Sequence, residues 1–268
     1  DYPSRPITII VPFPPGGSSD IVMRLVSQKV SENIKQPILI ENRPGGAGNV
    51  AAVAIKNAPP DGYLLMMGHT GTHAINPTLY SDLKFDPVKD FQPITALISF
   101  NNILMVPSHL LGVLLAKQAG IKLLHVPYRG IAPAVTDAVA GRVDMIFSSY
   151  LSAAGHVESS RLRMLAIAGT QRHPRIKSVP TLPEAGYSEA HMEQWFGLFG
   201  PAGLPAFIVE KLNTEFVKAL ESDDVTAKVL PQVAFVTPST PDELAAMVKR
   251  DIARLGQVVK ESGAKPSD

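Results

Sequence analysis

Apolar residues recur along the chain in two rhythms, short β-branched runs and longer stretches at helical spacing, and the two alternate almost to its end. Ile7-Thr8-Ile9-Ile10-Val11 is the first run, and it stops against Pro12-Phe13-Pro14-Pro15-Gly16-Gly17. Ile21, Val22, Leu25, Val26, Val30 and Ile34 then share one face of a helix that opens after Ser18-Ser19-Asp20 and ends before Pro37. Pro37-Ile38-Leu39-Ile40 repeats the strand signal, runs into Pro44-Gly45-Gly46, and leads to a helix of small residues over Gly45 to Asn57. Pro59-Pro60-Asp61-Gly62 predicts a turn, Tyr63 to Met67 a strand, and Ala74 to Tyr80 a short helix or turn.

From about Phe91 the pattern predicts a crossing into a second lobe. Strands are expected at Asn102–Pro107, Lys122–Val126, Val143–Phe147 and Arg163–Ala168, with helices at Leu110–Ala119 and Pro133–Ala140. The proline-rich stretch Ser178 to Gly186 leads to a return crossing at Trp195–Pro201. Three helical patterns follow, Phe207–Glu221, Asp224–Leu230 and Pro241–Glu261, with a strand at Ala234–Val236 before the last. Thr240 and Glu243 have capping-box spacing at the start of that last helix. The alternation predicts an α/β fold with largely parallel sheets. Two crossings predict a discontinuous first lobe, residues 1–100 and 200–268, and a second lobe, 101–199, with a ligand cleft between them.

Composition narrows the function. The 268 residues are 45% hydrophobic and 18% charged, as in a globular protein large enough for two cores. With 25 basic and 24 acidic residues the net charge is +1, and no basic run suggests nucleic acid. The absence of cysteine excludes disulfides, thiolate catalysis and cysteine-based metal sites. No apolar stretch reaches the roughly 18 residues of a membrane span. A start at Asp1-Tyr2-Pro3 without methionine suits a mature periplasmic protein whose signal peptide has been removed.

The candidate chemistry lies where the first strand meets the first helix. A Gly-Gly turn that opens a helix leaves backbone N–H groups unpaired at the positive end of the helix dipole, which makes an anion seat. No lysine follows the glycines, so a triphosphate grip is absent and a small carboxylate fits better. Phe13, Pro15, Gly16, Gly17, Ser18 and Asp20 are the candidates here. Ser18 either caps the helix or also touches the ligand. Asp20 is either a favourable charge in the first turn or an acceptor for a ligand amine. Gly46-x-Gly48-x-x-Ala51 partly matches a dinucleotide fingerprint, but the next strand ends in His69-Thr70 where an acidic residue is needed.

Thr70, Thr72 and His73 follow the third strand at the carboxyl edge, where they either cap a loop or line the site. Tyr128, Arg129 and Gly130 occupy a strand-to-helix turn of the second lobe, and Ser148 follows another strand. Arg129 reads as a binding-loop residue, a surface charge or a hinge ion pair, and Ser148 and Ser149 as ligand contacts or a helix cap. Trp195 and Phe196 are expected to pack at the crossing. His69, His73, His109 and His125 lack metal-ligand spacing, so no metal is expected. No Ser-His-Asp, paired-acid or Cys-His constellation stands out, and no catalytic residue is expected.

The chain resembles the Bug (TctC-like) family of periplasmic receptors of tripartite tricarboxylate transporters. The resemblance rests on Tyr2-Pro3-x-Arg5-Pro6-Ile7, Val11-Pro12-Phe13-x-Pro15-Gly16-Gly17-x-x-Asp20 and Glu41-Asn42-Arg43-Pro44-Gly45-Gly46-Ala47-Gly48. It continues through Pro60-Asp61-Gly62-Tyr63, Thr70-Gly71-Thr72-His73-Ala74-x-Asn76-Pro77, Val126-Pro127-Tyr128-Arg129-Gly130, Gly141-x-Val143-Asp144, Val179-Pro180-Thr181 and Trp195-Phe196-Gly197-Leu198. It implies a two-lobed periplasmic-binding-protein fold of type II character that closes on a small organic carboxylate, an amino acid, dicarboxylate or aromatic acid, without chemistry or cofactor. It also implies delivery by a monomer to the membrane subunits of a tripartite transporter. An α/β enzyme acting on a carboxylated substrate, with a nucleotide cofactor, is the alternative. One departure from the family stands at Pro107-Ser108-His109, where a further helix and strand are expected. A missing stretch explains it better than a lost unit, because losing a parallel strand leaves buried edges unpaired.

Overall fold

A computed structural model describes residues 2–104, 118–124, 126, 128 and 131–262. The aliphatic run Ile7–Val11 forms β1 and is buried on both faces, which places it at the interior of a sheet. Five further strands join it: β2 (Ile38–Asn42), β3 (Leu64–His69), β4 (Phe91–Asn101), β5 (Glu193–Pro201) and β6 (Ala234–Val236). Their order is β2-β1-β3-β5-β4-β6. β1 pairs in parallel with β2 and β3, while β3–β5, β5–β4 and β4–β6 are antiparallel. The α/β class matches the expectation, but this sheet is mixed rather than mostly parallel. β4 carries the chain out across one edge and β5 carries it straight back beside β4, and such neighbours must run in opposite directions.

The helices are α1 (Ser18–Ile34), α2 (Asn49–Lys56), α3 (Asn76–Leu79), α4 (Ile131–Val139), α5 (Tyr150–Glu158), α6 (Ala206–Leu220), α7 (Asp223–Val229) and α8 (Pro241–Ser262). Alternate strand residues serve opposite faces of the sheet. Ile7, Ile9, Leu65 and Met67 pack with Met23, Val26, Leu212 and Phe216 of α1 and α6. On the other face Ile10 and Met66 meet Ala52 and Ile55 of α2 and Leu244 and Val248 of α8. The capping box of α8 is formed in both directions, Thr240 N–H to Glu243 Oε2 at 2.8 Å and Glu243 N–H to Thr240 Oγ1 at 3.2 Å.

The described residues between β4 and β5 project from the edge at which β4 ends and β5 begins. Ile103, Val135, Ile146, Tyr150 and Ile167 share one cluster there, and Phe147, Ala168, Leu182 and Met192 share another with Leu255 of α8. Among the described residues the strands expected in this region are reduced to isolated pairings, Ile103 with Ser148 and Ile167 and Ile167 with Thr181. β propensity is realised only against a ladder partner, and Leu124 in the expected strand Lys122–Val126 is 90% exposed. The expected helix Leu110–Ala119 and the junction at Pro107–His109 lie largely outside the described residues.

Candidate functional site

β1, β2 and β3 end together at Val11, Asn42 and His69, so the loops that follow them meet at the carboxyl edge of the parallel strands. In the first loop Gly16 adopts a positive φ of 84°, and the chain then enters α1 through an extended Gly17 (φ −78°, ψ 171°). Ile21 N–H closes the first turn on the Gly17 carbonyl at 3.0 Å. Gly17 and the first-turn residues Ser18 and Ser19 give their N–H groups to no acceptor among the described residues, and no side chain caps the helix. These amides lie at the positive end of a 17-residue helix, where backbone N–H groups favour an anion. Phe13, Gly17 and Ser18 are partly exposed there and Pro15 and Gly16 are exposed.

Asp20 has a different position from an amine acceptor facing ligand. It is 4% exposed, and each carboxylate oxygen already accepts two hydrogen bonds, from Gly16 N–H (2.9 Å), Asn42 Nδ2 (3.0 Å) and a bifurcated Arg24 Nε (3.0 and 3.1 Å). Burial alone would raise its pKa, but the Arg24 guanidinium, Gly16 N–H and Asn42 amide outweigh that and hold the carboxyl below its ordinary range. Asn42 also donates to the Phe13 carbonyl at 3.1 Å. The end of β2 thereby fixes the loop after β1.

The second Gly-Gly motif braces the first. Gly45, Gly46, Ala47 and Gly48 all have positive φ, at 135°, 53°, 53° and 90°. A Cβ on Gly48 would lie 2.5 Å from Thr72 Cγ2, and 3.3 Å from both His69 Nε2 and Pro12 Cβ. The glycine that suggested a dinucleotide turn is thus the point where three loops touch.

Thr70, Thr72 and His73 are each 0% exposed. Thr70 Oγ1 accepts the Trp195 N–H at 2.9 Å, tying the turn after β3 to the returning strand. Thr72 gives its hydroxyl proton to the His69 carbonyl (3.1 Å), so the 2.8 Å contact with His73 assigns a proton to His73 Nδ1. The His73 ring stacks on Phe199 with centroids 4.1 Å apart. His73 therefore packs inside the sheet's core, and Thr70 and Thr72 brace the turn.

His69, set aside in the sequence as a residue without metal partners, holds the more exposed place. Its ring lies 4.7 Å from that of Phe13. Its Nδ1 accepts from Gly71 N–H at 3.0 Å, which leaves the proton on Nε2, a buried donor with no partner among the described residues. The contact with Phe13 is far apart in sequence; the local signals are Gly71, two residues on, and the position of His69 at the end of a parallel strand.

Burial pushes the pKa of His69 down to about 4, and burial together with the neighbouring His69 pushes His73 to about 3, from 6.5 for a free histidine. The unfolded chain therefore binds more protons than the folded one once the pH drops below about 6.5. Stability is fully present above that pH and is lost on acidification towards the folded values, at no more than about 1.4 kcal/mol per pH unit for each ring. Thermal melts over this range should show a falling Tm below about pH 6.5, with a shallower slope in His73→Gln; equal slopes would contradict the assignment.

In the second region Tyr128 donates its hydroxyl to Asp137 Oδ2 at 2.8 Å, and Ser148 pairs its main chain with Ile103 and its hydroxyl with the Ser149 carbonyl. Arg129 and Gly130 lie outside the described residues. Ser149, which precedes α5, lines one cavity with Ser18. Trp195 gives its indole N–H to the buried Asp251 at 2.8 Å, in keeping with packing at the crossing. No cluster of three metal-ligating side chains exists among the described residues.

A sheet left and re-entered at one edge, with uncapped helix amides on that edge, is the arrangement of a periplasmic binding protein, and solved structures of that class superpose on this chain. Rpa4515 of R. palustris with adipate is 30% identical, with a TM-score of 0.93 and all of both chains covered. MatC (Rpa3494) of Rhodopseudomonas palustris with bound malate is also 30% identical, with a TM-score of 0.87 over 96% of this chain and 100% of that one. The family model "Tripartite tricarboxylate transporter family receptor" matches residues 22–110 and 105–264, and the chain belongs to this TctC family. A protein of the tcbD-tcbE intergenic region of Pseudomonas sp. strain P51 is 34% identical over 294 aligned positions, covering 97% of this chain and 87% of the relative. The protein is thus a periplasmic solute-binding receptor by family, and no helix among the described residues is long and apolar enough to cross a membrane.

Proposed function

We propose that this receptor captures a small organic carboxylate between a lobe of residues 1–100 and 200–268 and a lobe of residues 101–199, and passes it without chemistry to the membrane subunits of a tripartite transporter. The observation that carries the proposal is the set of unpartnered amides at Gly17, Ser18 and Ser19, held in place by the Asp20–Asn42–Arg24 network. The acids bound by the two R. palustris neighbours, adipate and malate, agree with it. On this reading the protein acts as a monomer in the periplasm. Phe13, Pro15, Gly16, Gly17 and Ser18 form one side of the clamp, backed by Asp20, Thr70, Thr72 and His73; Tyr128, Arg129, Gly130 and Ser148 serve the other. Relative to the family, the sequence is short of a helix–strand unit near 107–109. Two observations support this: the two parts of the family match overlap at 105–110, and the alignment with the Pseudomonas relative needs 294 positions.

Ser18→Pro tests the seat. Proline fits the first helical position, and Gly17 already has the extended conformation that a residue before proline adopts, so the fold is kept while one N–H is removed. A carboxylate at a hundred times its dissociation constant should stabilise the unaltered protein by about 2.7 kcal/mol, read as a raised Tm. In Ser18→Pro the affinity should fall about tenfold or more, because a hydrogen bond to a charged group is lost. Ser18→Ala, which keeps the N–H, should bind as before. Equal binding by Ser18→Pro and the parent would remove the amide anchor from the proposal.

A further inference from the structure

Beside the seat a cavity of about 320 Å³ opens between α1, the end of β4, the connection from α7 to β6 and the start of α5. Ser18, Ile21, Val22 and Leu25 form its wall on α1, and this spacing keeps them on one helical face for about 10 Å from the helix start. Ile98 and Phe100 close the cavity from β4, and Leu151 faces it from α5. Ile21 is 45% exposed on this wall. Lys228 is the single cation among its described lining residues. Both helices that reach the cavity, α1 behind Gly17 and α5 behind Ser149, begin without a side-chain cap.

A compact polar acid would leave this apolar wall wet. We propose that the cavity receives the carbon chain or ring of the bound acid, so that the receptor selects alkyl or aryl carboxylates extending about 10 Å from the anchored carboxylate. This deepens the carboxylate reading above and rests on it. The acid group stays with the amides of α1, and the rest of the molecule covers Ile21, Leu25, Phe100 and Leu151 in the cavity that Lys228 also lines.

A length series separates the two levels. Succinate, adipate, suberate and octanoate are titrated into the full chain by calorimetry, and into Ile21→Trp, which fills the cavity from a partly exposed position. Affinity should rise from succinate to suberate by about tenfold or more as methylenes leave water. Ile21→Trp should lose that rise while binding succinate as the parent does. Leu151→Trp fills the cavity from the opposite wall and should do the same should Ile21→Trp fail to fold. Binding of succinate with no gain for longer acids overturns the cavity proposal alone, as does a tryptophan variant that retains the gain. No binding by any of the four acids overturns the carboxylate reading and the cavity proposal with it.

Discussion

Gly48→Ala is expected to lower the melting temperature by about 6–12 °C, following a loss of about 3 kcal/mol. Two costs combine. The residue has φ of 90°, which a side chain tolerates poorly, and the added methyl lands 2.5 Å from Thr72 Cγ2. Thr72 cannot turn aside, since it is fully buried, β-branched and hydrogen-bonded to both the N–H and carbonyl of His69. The loop after β2 must then withdraw from Pro12 and His69, so carboxylate affinity should fall with stability. Gly46→Ala is the comparison: its φ is also positive, at 53°, but its Cβ would meet nothing closer than 3.6 Å. Melting curves that fall equally for the two variants would show strain alone, without the wedge between three loops.

Asp20→Ala should cost about 2 kcal/mol, or roughly 4–8 °C in Tm, and weaken carboxylate binding about tenfold. The carboxylate lies close behind the proposed anion seat, so removing it also relieves repulsion, and two effects of opposite sign compete. The structure favours loss of order. Arg24 already neutralises the charge at 3.0 Å, whereas Gly16 N–H has no other acceptor among the described residues and the Asn42 amide would keep only Phe13 and Arg24. Asp20→Asn decides between them, because it removes charge and keeps an acceptor. Weaker binding in both variants follows from loop disorder; tighter binding in Asp20→Asn would show that repulsion governs the seat.

The local parts of this molecule are legible in its sequence. A β-branched run, a Pro-Gly-Gly stop and an apolar stripe define β1, the seat and α1 within thirty residues, and the capping box marks α8 correctly. β4 is not legible, because Pro93 interrupts its pattern and two irregularities, between Pro93 and Thr95 and between Ala96 and Ile98, shift its alternation. α5 goes unread because its hydrophobic stripe is weak and Gly155 sits within it. The sites split in the same way. The amides of Gly17 to Ser19 follow from the turn itself, but the inward role of Asp20 depends on Asn42, 22 residues on. His69 acquires its orphan donor from Phe13, Gly48 and Gly71, contacts that no periodicity records. Thr70, Thr72 and His73 follow a strand's carboxyl end as binding residues would, and the turn at Gly71–Ile75 folds them beneath the surface.

Trp195 is bolted twice, by its main-chain N–H to Thr70 and by its indole to Asp251. A pivot needs slack, and the returning strand has none at this level. Any swing of residues 102–192 is therefore taken up before the chain reaches Trp195, as a door turns on its jamb without bending the wall. The amides that would grip an anion belong to the wall, and their spacing is the same whether the door stands open or shut.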